Sequence, residues 1–191
     1  MIRSPKGENV ANFVINKIAE CDDGKPKPRK IQRIEKFVVH RIGDSLGETA
    51  EEIAVAFRDT SKYAAGSYTN AQQPYTWIIR KDGTIEQALA MTDTGPHAKR
   101  WNTRSVSVAL IGDFTKHKPT DAQWDSLVNL SVAMLRMGFT IHGHTELPGS
   151  SGDLNKRCPG PHLNMEQLRK EARSKINEAA LQHLLDMGIK L

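Results

Sequence analysis

Apolar residues recur along the chain in two rhythms, one of period two and one near 3.6, and the changes of rhythm mark the elements. Successive side chains of a strand point to opposite faces. The run 36–43, KFVVHRIG, reads as a buried strand that ends in glycine and carries His40 near its C-terminal end. In 105–114, SVSVALIGDF, Val106, Val108 and Leu110 share one face and Ala109 and Ile111 the other. A strand apolar on both faces belongs in the middle of a sheet. In 75–89, YTWIIRKDGTIEQAL, Asp82-Gly83 separates two strand-like runs and predicts a hairpin. FTIHGH, 139–144, is a further short strand.

Helical spacing appears in four places. In LGETAEEIAVAFRD, Thr49 and Glu52 have the spacing of a capping box, and Ile53, Ala56 and Phe57 fall on one face. In KPTDAQWDSLVNLSVAMLRMG, Thr120 can cap with Gln123. Trp124, Leu127, Val128, Ser131, Met134 and Leu135 form the buried stripe, and Gly138 ends the helix. The tail NMEQLRKEARSKINEAALQHLLDMG predicts a long helix with a stripe of Leu168, Ala172, Ile176, Ala180 and Leu184, ended by Gly188. Near the N-terminus Val10, Phe13, Val14, Ile15 and Ile18 fall at roughly helical spacing, and DDGKPKPRK then breaks any helix. The expected organisation is an N-terminal helix and linker over 1–30, then one domain over 31–191 that includes the C-terminal helix. The fold class is α/β, a mixed central β-sheet flanked by helices on both faces.

Bulk properties narrow this picture. A chain of 191 residues fits one domain and buries about 70% of its unfolded surface without needing disulfides. Apolar content of 38% and charged content of 26% are those of a soluble globular chain. No apolar run approaches the roughly 18 residues of a membrane span, so stable membrane anchoring is not expected. The net charge of +5 suits an anionic surface, whether nucleic acid, acidic lipid or bacterial cell wall, and equally a generic solvated surface. No basic block with interleaved aromatics is present, so a nucleic-acid partner is not expected. MIRSPKGENV lacks the plan of a secretory leader. The expectation is a protein made in a cytoplasm that leaves it only with help from another protein. That origin argues against pairing Cys21 with Cys158 and leaves metal binding or nucleophilic catalysis as roles for a single cysteine.

The chemistry concentrates in two stretches, HGHTELP (142–148) and NKRCPG (155–160). His142 and His144 can share a strand face, His40 ends another strand, and Cys158 sits in a loop turned by Pro159 and Gly160. Catalytic zinc takes three protein ligands and keeps a fourth position open, whereas structural zinc is closed by four, often in C-x-x-C pairs. No such pair exists here. Spacing alone leaves two readings: an open zinc site, or partly buried histidines and a core thiol, each satisfied by hydrogen bonds.

FVVHRIG, YTWIIRKDGTIEQ, TGPHAKRWNTRSVSVALIGDF, GHTELP and KRCPGP occur in the order and approximate spacing of the zinc-dependent N-acetylmuramoyl-L-alanine amidases. Over roughly 34–168 the chain resembles that family, which includes amidase-type phage lysozymes and peptidoglycan recognition proteins. The resemblance implies Zn²⁺ held by His40, His144 and Cys158, with His142 outside the ligand set and Glu146 as an outer partner of a ligand or a salt-bridge partner. It implies Lys156 and Tyr75 as catalytic residues, and His97 and Asn102 as substrate contacts. His117, His162 and His183 match nothing in the family pattern. The implied activity is hydrolysis of the amide between N-acetylmuramic acid and the L-alanine of the peptidoglycan stem, with a zinc-activated water. The cysteine ligand favours an endolysin-like, phage-type antimicrobial hydrolase, monomeric and released to the wall with the help of a holin. The alternatives are a cytoplasmic muropeptide-recycling amidase and a non-catalytic peptidoglycan-binding module.

Overall fold

The structure is a computed structural model that describes residues 14–21, 28–59, 73–149 and 158–186. Six strands, β1 (Val14–Asn16), β2 (Lys36–Ile42), β3 (Trp77–Ile79), β4 (Ile85–Gln87), β5 (Ser105–Ile111) and β6 (Thr140–Gly143), form one sheet in the order β1-β4-β3-β5-β2-β6. Only the β3–β4 hairpin is antiparallel; the other neighbours run parallel. Among the described residues four α-helices accompany it: α1 (Ile18–Cys21), α2 (Ala50–Asp59), α3 (Asp121–Arg136) and α4 (Met165–Asp186). This is the mixed α/β sheet with helices on both faces that the periodicity predicts.

Alternation along the strands sorts the core into two layers. Phe37 and Val39 of β2, Trp77 and Ile79 of β3, and Val106, Val108 and Leu110 of β5 face α3 and α4. Ile42, Ile78, Ala109 and Ile111 point the other way and pack on α2 through Ile53, Ala54 and Phe57. β5 is buried at every position, as its two-faced apolar pattern requires.

Local signals account for the connections. Asp82 Oδ1 accepts from Thr84 N at 2.9 Å, and Gly83 takes φ 85°, a left-handed turn that glycine adopts without steric cost. Thr120 and Gln123 make the full reciprocal capping box at the start of α3. At α2 only half of it forms. Thr49 Oγ1 accepts from Glu52 N at 3.2 Å, while the Glu52 carboxylate turns to Glu48 N at 2.7 Å. Buried Glu86 from β4 caps the same helix, accepting from Ala50 N at 2.7 Å.

Two expectations need correction. Val14 and Ile15 do not lie on a helix: residues 14–16 form an edge strand, parallel to β4, and helix begins only at Ile18. β-branched residues favour the extended state once a partner strand is available. Val10 and Phe13 of that expectation lie outside the described residues. The α4 stripe is buried at Leu168 and Ala172, half-buried at Ile176 and exposed at Ala180, because the helix runs past the end of the layer it packs on. The Leu184 side chain and Gly188 lie outside the described residues. Among the described residues no helix is long and apolar enough to cross a membrane.

Candidate metal centre

The site stands on the α2-side face of the sheet, where β2 and β6 end their pairing. The last registered pair is Val39 with Gly143, and the next residues along the two strands are His40 and His144. His40 is 2% exposed and held by a strand paired on both sides. His144 opens a short 3-10 turn, His144–Glu146. Cys158 comes from the loop ahead of α4. Gly143 permits its approach: a Cβ there would meet Pro159 Cδ at 2.9 Å. Thr145 ties the two loop donors together, since its N and Oγ1 both donate to the Cys158 carbonyl, at 3.1 and 3.0 Å.

The ligand atoms of His40, His144 and Cys158 all lie within 4.8 Å of one another. Cys158 Sγ is 3.6 Å from His40 Nδ1, and the His40 and His144 ring centroids are 4.5 Å apart. A tetrahedral zinc ion, with Zn–N of about 2.1 Å and Zn–S of about 2.3 Å, holds its ligand atoms roughly 3.4–3.6 Å apart. The donor set suits zinc, and the Sγ–Nδ1 pair at 3.6 Å has the spacing such an ion imposes. Burial lowers the pKa of both histidines, so each presents a neutral ring. Burial also pushes the Cys158 thiol up to about 11; a cation held there would take the place of its proton.

The remaining sequence candidates have varied surroundings. The Tyr75 ring lies 5.2 Å from the His40 ring, centroid to centroid, and is backed by Phe57 at 5.9 Å. His97 is buried beside His40. It is 8% exposed, and its Nδ1 is 3.1 Å from His40 Nε2 while its Nε2 is 3.1 Å from Ser105 Oγ. Asn102 Oδ1 closes the same loop by accepting from Ala98 N at 2.7 Å. Glu146 touches none of the three donors: it accepts from Gly143 N and pairs with Arg169, each at 2.8 Å, pinning the turn to α4. His142 stands apart, beside Thr140 Oγ1 and Lys36 Nζ. Lys156 lies outside the described residues. His162 and His183 are exposed, and His117 stacks edge-on to Phe114.

Sequence reasoning missed three supports. Ser105 reads in the sequence only as a strand residue. Thr145 reads as part of a motif spacer. Arg29, in the basic linker, reaches into the fold: its Nε donates to the Met91 carbonyl at 2.8 Å, and Nη1 donates to the carbonyls of Asn102, at 2.7 Å, and Ser105. That clamp closes the loop that carries His97. Only the density of buried carbonyls around it reveals the role, and no local pattern encodes that.

A mixed sheet that brings two histidines and a cysteine together defines an α/β protein with a candidate metal centre. Residues 30–161, more than half of the chain, match the family model for N-acetylmuramoyl-L-alanine amidase, and the chain belongs to that family. Among curated relatives it is 28% identical to peptidoglycan-recognition protein 1 of Holotrichia diomphalia over 48% of this chain and 46% of that protein. It is 23% identical to peptidoglycan-recognition protein SC2 of Drosophila melanogaster over 66% of this chain and 68% of that one. The chain thus spans about half the length of the first of these relatives. The fold is shared with the amidase LysC from Clostridium intestinale (TM-score 0.61, 22% identity, 86% of this chain and 97% of that one). It is also shared with the Ph2119 endolysin of a Thermus scotoductus bacteriophage (TM-score 0.61, 17% identity, 83% and 98%).

Proposed function

We propose that the protein is a zinc-dependent peptidoglycan hydrolase that cleaves the amide between N-acetylmuramic acid and the L-alanine of the stem peptide. The observation that carries this reading is the convergence of His40, His144 and Cys158 within 4.8 Å at the end of two parallel strands. Among the described residues the group has three donors, and a zinc site with three protein ligands and a position left for water is reactive rather than structural. Zinc in such a site brings the pKa of a water to about 7 and polarises the amide carbonyl.

The chain's own residues supply the rest. His40, buried on a central strand, fixes one donor rigidly. His144 and Cys158 close on it from the loop side. Tyr75, with its ring beside that of His40, hydrogen-bonds the attacking water or the departing amine. Lys156, two residues before Cys158 in the sequence, brings a cation to the developing oxyanion, offsetting the charge of a thiolate donor.

The endolysin likenesses and the cysteine donor favour a lytic enzyme that reaches the wall with a holin's help, ahead of a recycling enzyme acting on free muropeptides. The relatives named as peptidoglycan recognition proteins support a second reading, a module that binds the wall without cutting it. Incubation with purified peptidoglycan, followed by mass spectrometry and zinc analysis of the same sample, separates the two. New L-alanine N-termini that vanish on chelation and return with zinc are expected. Wall that is bound but left uncut by zinc-loaded protein overturns the hydrolase reading.

A further inference from the structure

We propose that His97 is a positioning residue for the metal centre: a one-way chain of hydrogen bonds through it and Ser105 forces the lone pair of His40 onto Nδ1, the nitrogen that faces Cys158. The inference deepens the zinc reading and rests on it.

The argument begins at the far end of the chain. Ser105 Oγ lies 2.7 Å from the Trp101 carbonyl oxygen. Two oxygens at that separation need a hydrogen between them, and a carbonyl has none to give. The serine hydrogen therefore points at Trp101, whose oxygen also accepts from Arg104 N at 2.8 Å. Ser105 Oγ is then left with lone pairs toward His97 Nε2 at 3.1 Å, so His97 must donate from Nε2. A neutral imidazole has one N–H and one lone pair. His97 Nδ1 thus accepts, and its neighbour at 3.1 Å, His40 Nε2, must donate. The lone pair of His40 falls on Nδ1, 3.6 Å from Cys158 Sγ and on the side of the cluster with His144.

Neutrality of both rings is secured by their surroundings. His97 is 8% exposed, His40 2% and Ser105 0%. Burial disfavours a second proton on either ring, and Arg29, whose Nη1 donates to the Ser105 carbonyl, adds a fixed cation on the same side. The frame of the chain is fixed by the Arg29 clamp on the carbonyls of Met91, Asn102 and Ser105. A ligating imidazole whose other N–H is held in this way is oriented before the cation arrives and need not change tautomer to bind it.

The test has two arms. Long-range proton–nitrogen NMR of the metal-free, nitrogen-labelled protein reads the tautomers directly: His40 and His97 are both expected as Nε2–H forms, and an Nδ1–H form at His40 overturns the proposal. Chelator competition then measures zinc affinity for His97→Phe and the milder Ser105→Ala, with melting of the metal-free variants alongside. Either variant, while still folded, is expected to bind zinc about 10–100-fold more weakly. Unchanged affinity in a folded Ser105→Ala protein overturns the role. Failure of the wild-type protein to bind zinc overturns the zinc reading itself, and the tautomer pattern distinguishes that outcome from a failure of the hydrogen-bond chain.

Discussion

On one face of the sheet, Phe37, Val39, Trp77, Val106, Val108 and Leu110 meet α3 and α4 in a continuous apolar layer. On the opposite face the same strands and β4 present Val38, His40, Ile78, Glu86, Ser105 and Ser107, with apolar packing confined to the α2 end and a small cluster of Val38, Ala98, Leu147 and Trp101. Burial is equally deep on both sides, but the physics differs. The first face is held by area removed from water, which tolerates many side chains of the right volume. The second holds polar groups that are acceptable only while each keeps its partner. Thr76 and Ser107 bond each other's backbone across the strands, Gln73 and Glu86 satisfy Ala50, and His97 joins His40 to Ser105. A sheet built this way separates the work: one face supplies stability, and the other carries donors whose positions are fixed by partners.

Substitutions on the two faces sharpen that contrast. The largest effect belongs to the donors. Cys158→Ser, or exhaustive chelation, is expected to abolish amide hydrolysis while leaving the circular dichroism spectrum nearly unchanged. Full activity after verified metal removal would sink the zinc mechanism. Next comes Lys156→Ala, for which kcat on soluble muropeptide should fall by about 10²–10³, the usual loss when one oxyanion-stabilising group is removed. Zinc content should stay the same; a wild-type kcat removes the lysine from the chemistry. On the apolar face, Leu110→Ala should cost about 2–5 kcal/mol in denaturant titrations, with zinc affinity per folded molecule unaltered. A parallel loss of affinity would mean that the faces are coupled. The smallest effect is expected for Glu146→Gln, which breaks a half-exposed pair with Arg169 worth less than about 1 kcal/mol. A loss of several kcal/mol would show that the turn carrying His144 depends on that anchor.

The same contrast explains what could be read in advance. The apolar face was legible because it is periodic: β2, β5 and α3 follow from spacing, and Asp82-Gly83 marks its own turn. Val14 and Ile15 misled because their strand exists only through pairing with β4, a partner some seventy residues on in the sequence. Ala180 misled because a stripe can continue after the surface it packs on has ended. At the site, the resemblance drew His40, His144 and Cys158 from the chain, and the structure brings the three together. His97 belonged to a groove in the sequence reading, because a loop histidine between Pro96 and Ala98 carries no mark of depth. Its buried position depends on Asn102 and Ser105, a few residues on, and on Arg29, which reaches the same loop from far back in the chain, and no local rhythm records such a meeting.

The two hydrogen bonds that Thr145 gives the Cys158 carbonyl have a consequence for how a cation would be caught. His144 and Cys158 are distant enough along the chain to wander separately, yet with Thr145 latched they form the jaw of a pincer whose other jaw is the sheet itself. Assembly is then an encounter of two bodies rather than three, and the entropy of gathering the loop donors is settled in folding, before the ion appears. A chain that lost only the latch would keep all its ligands and still grip more slowly.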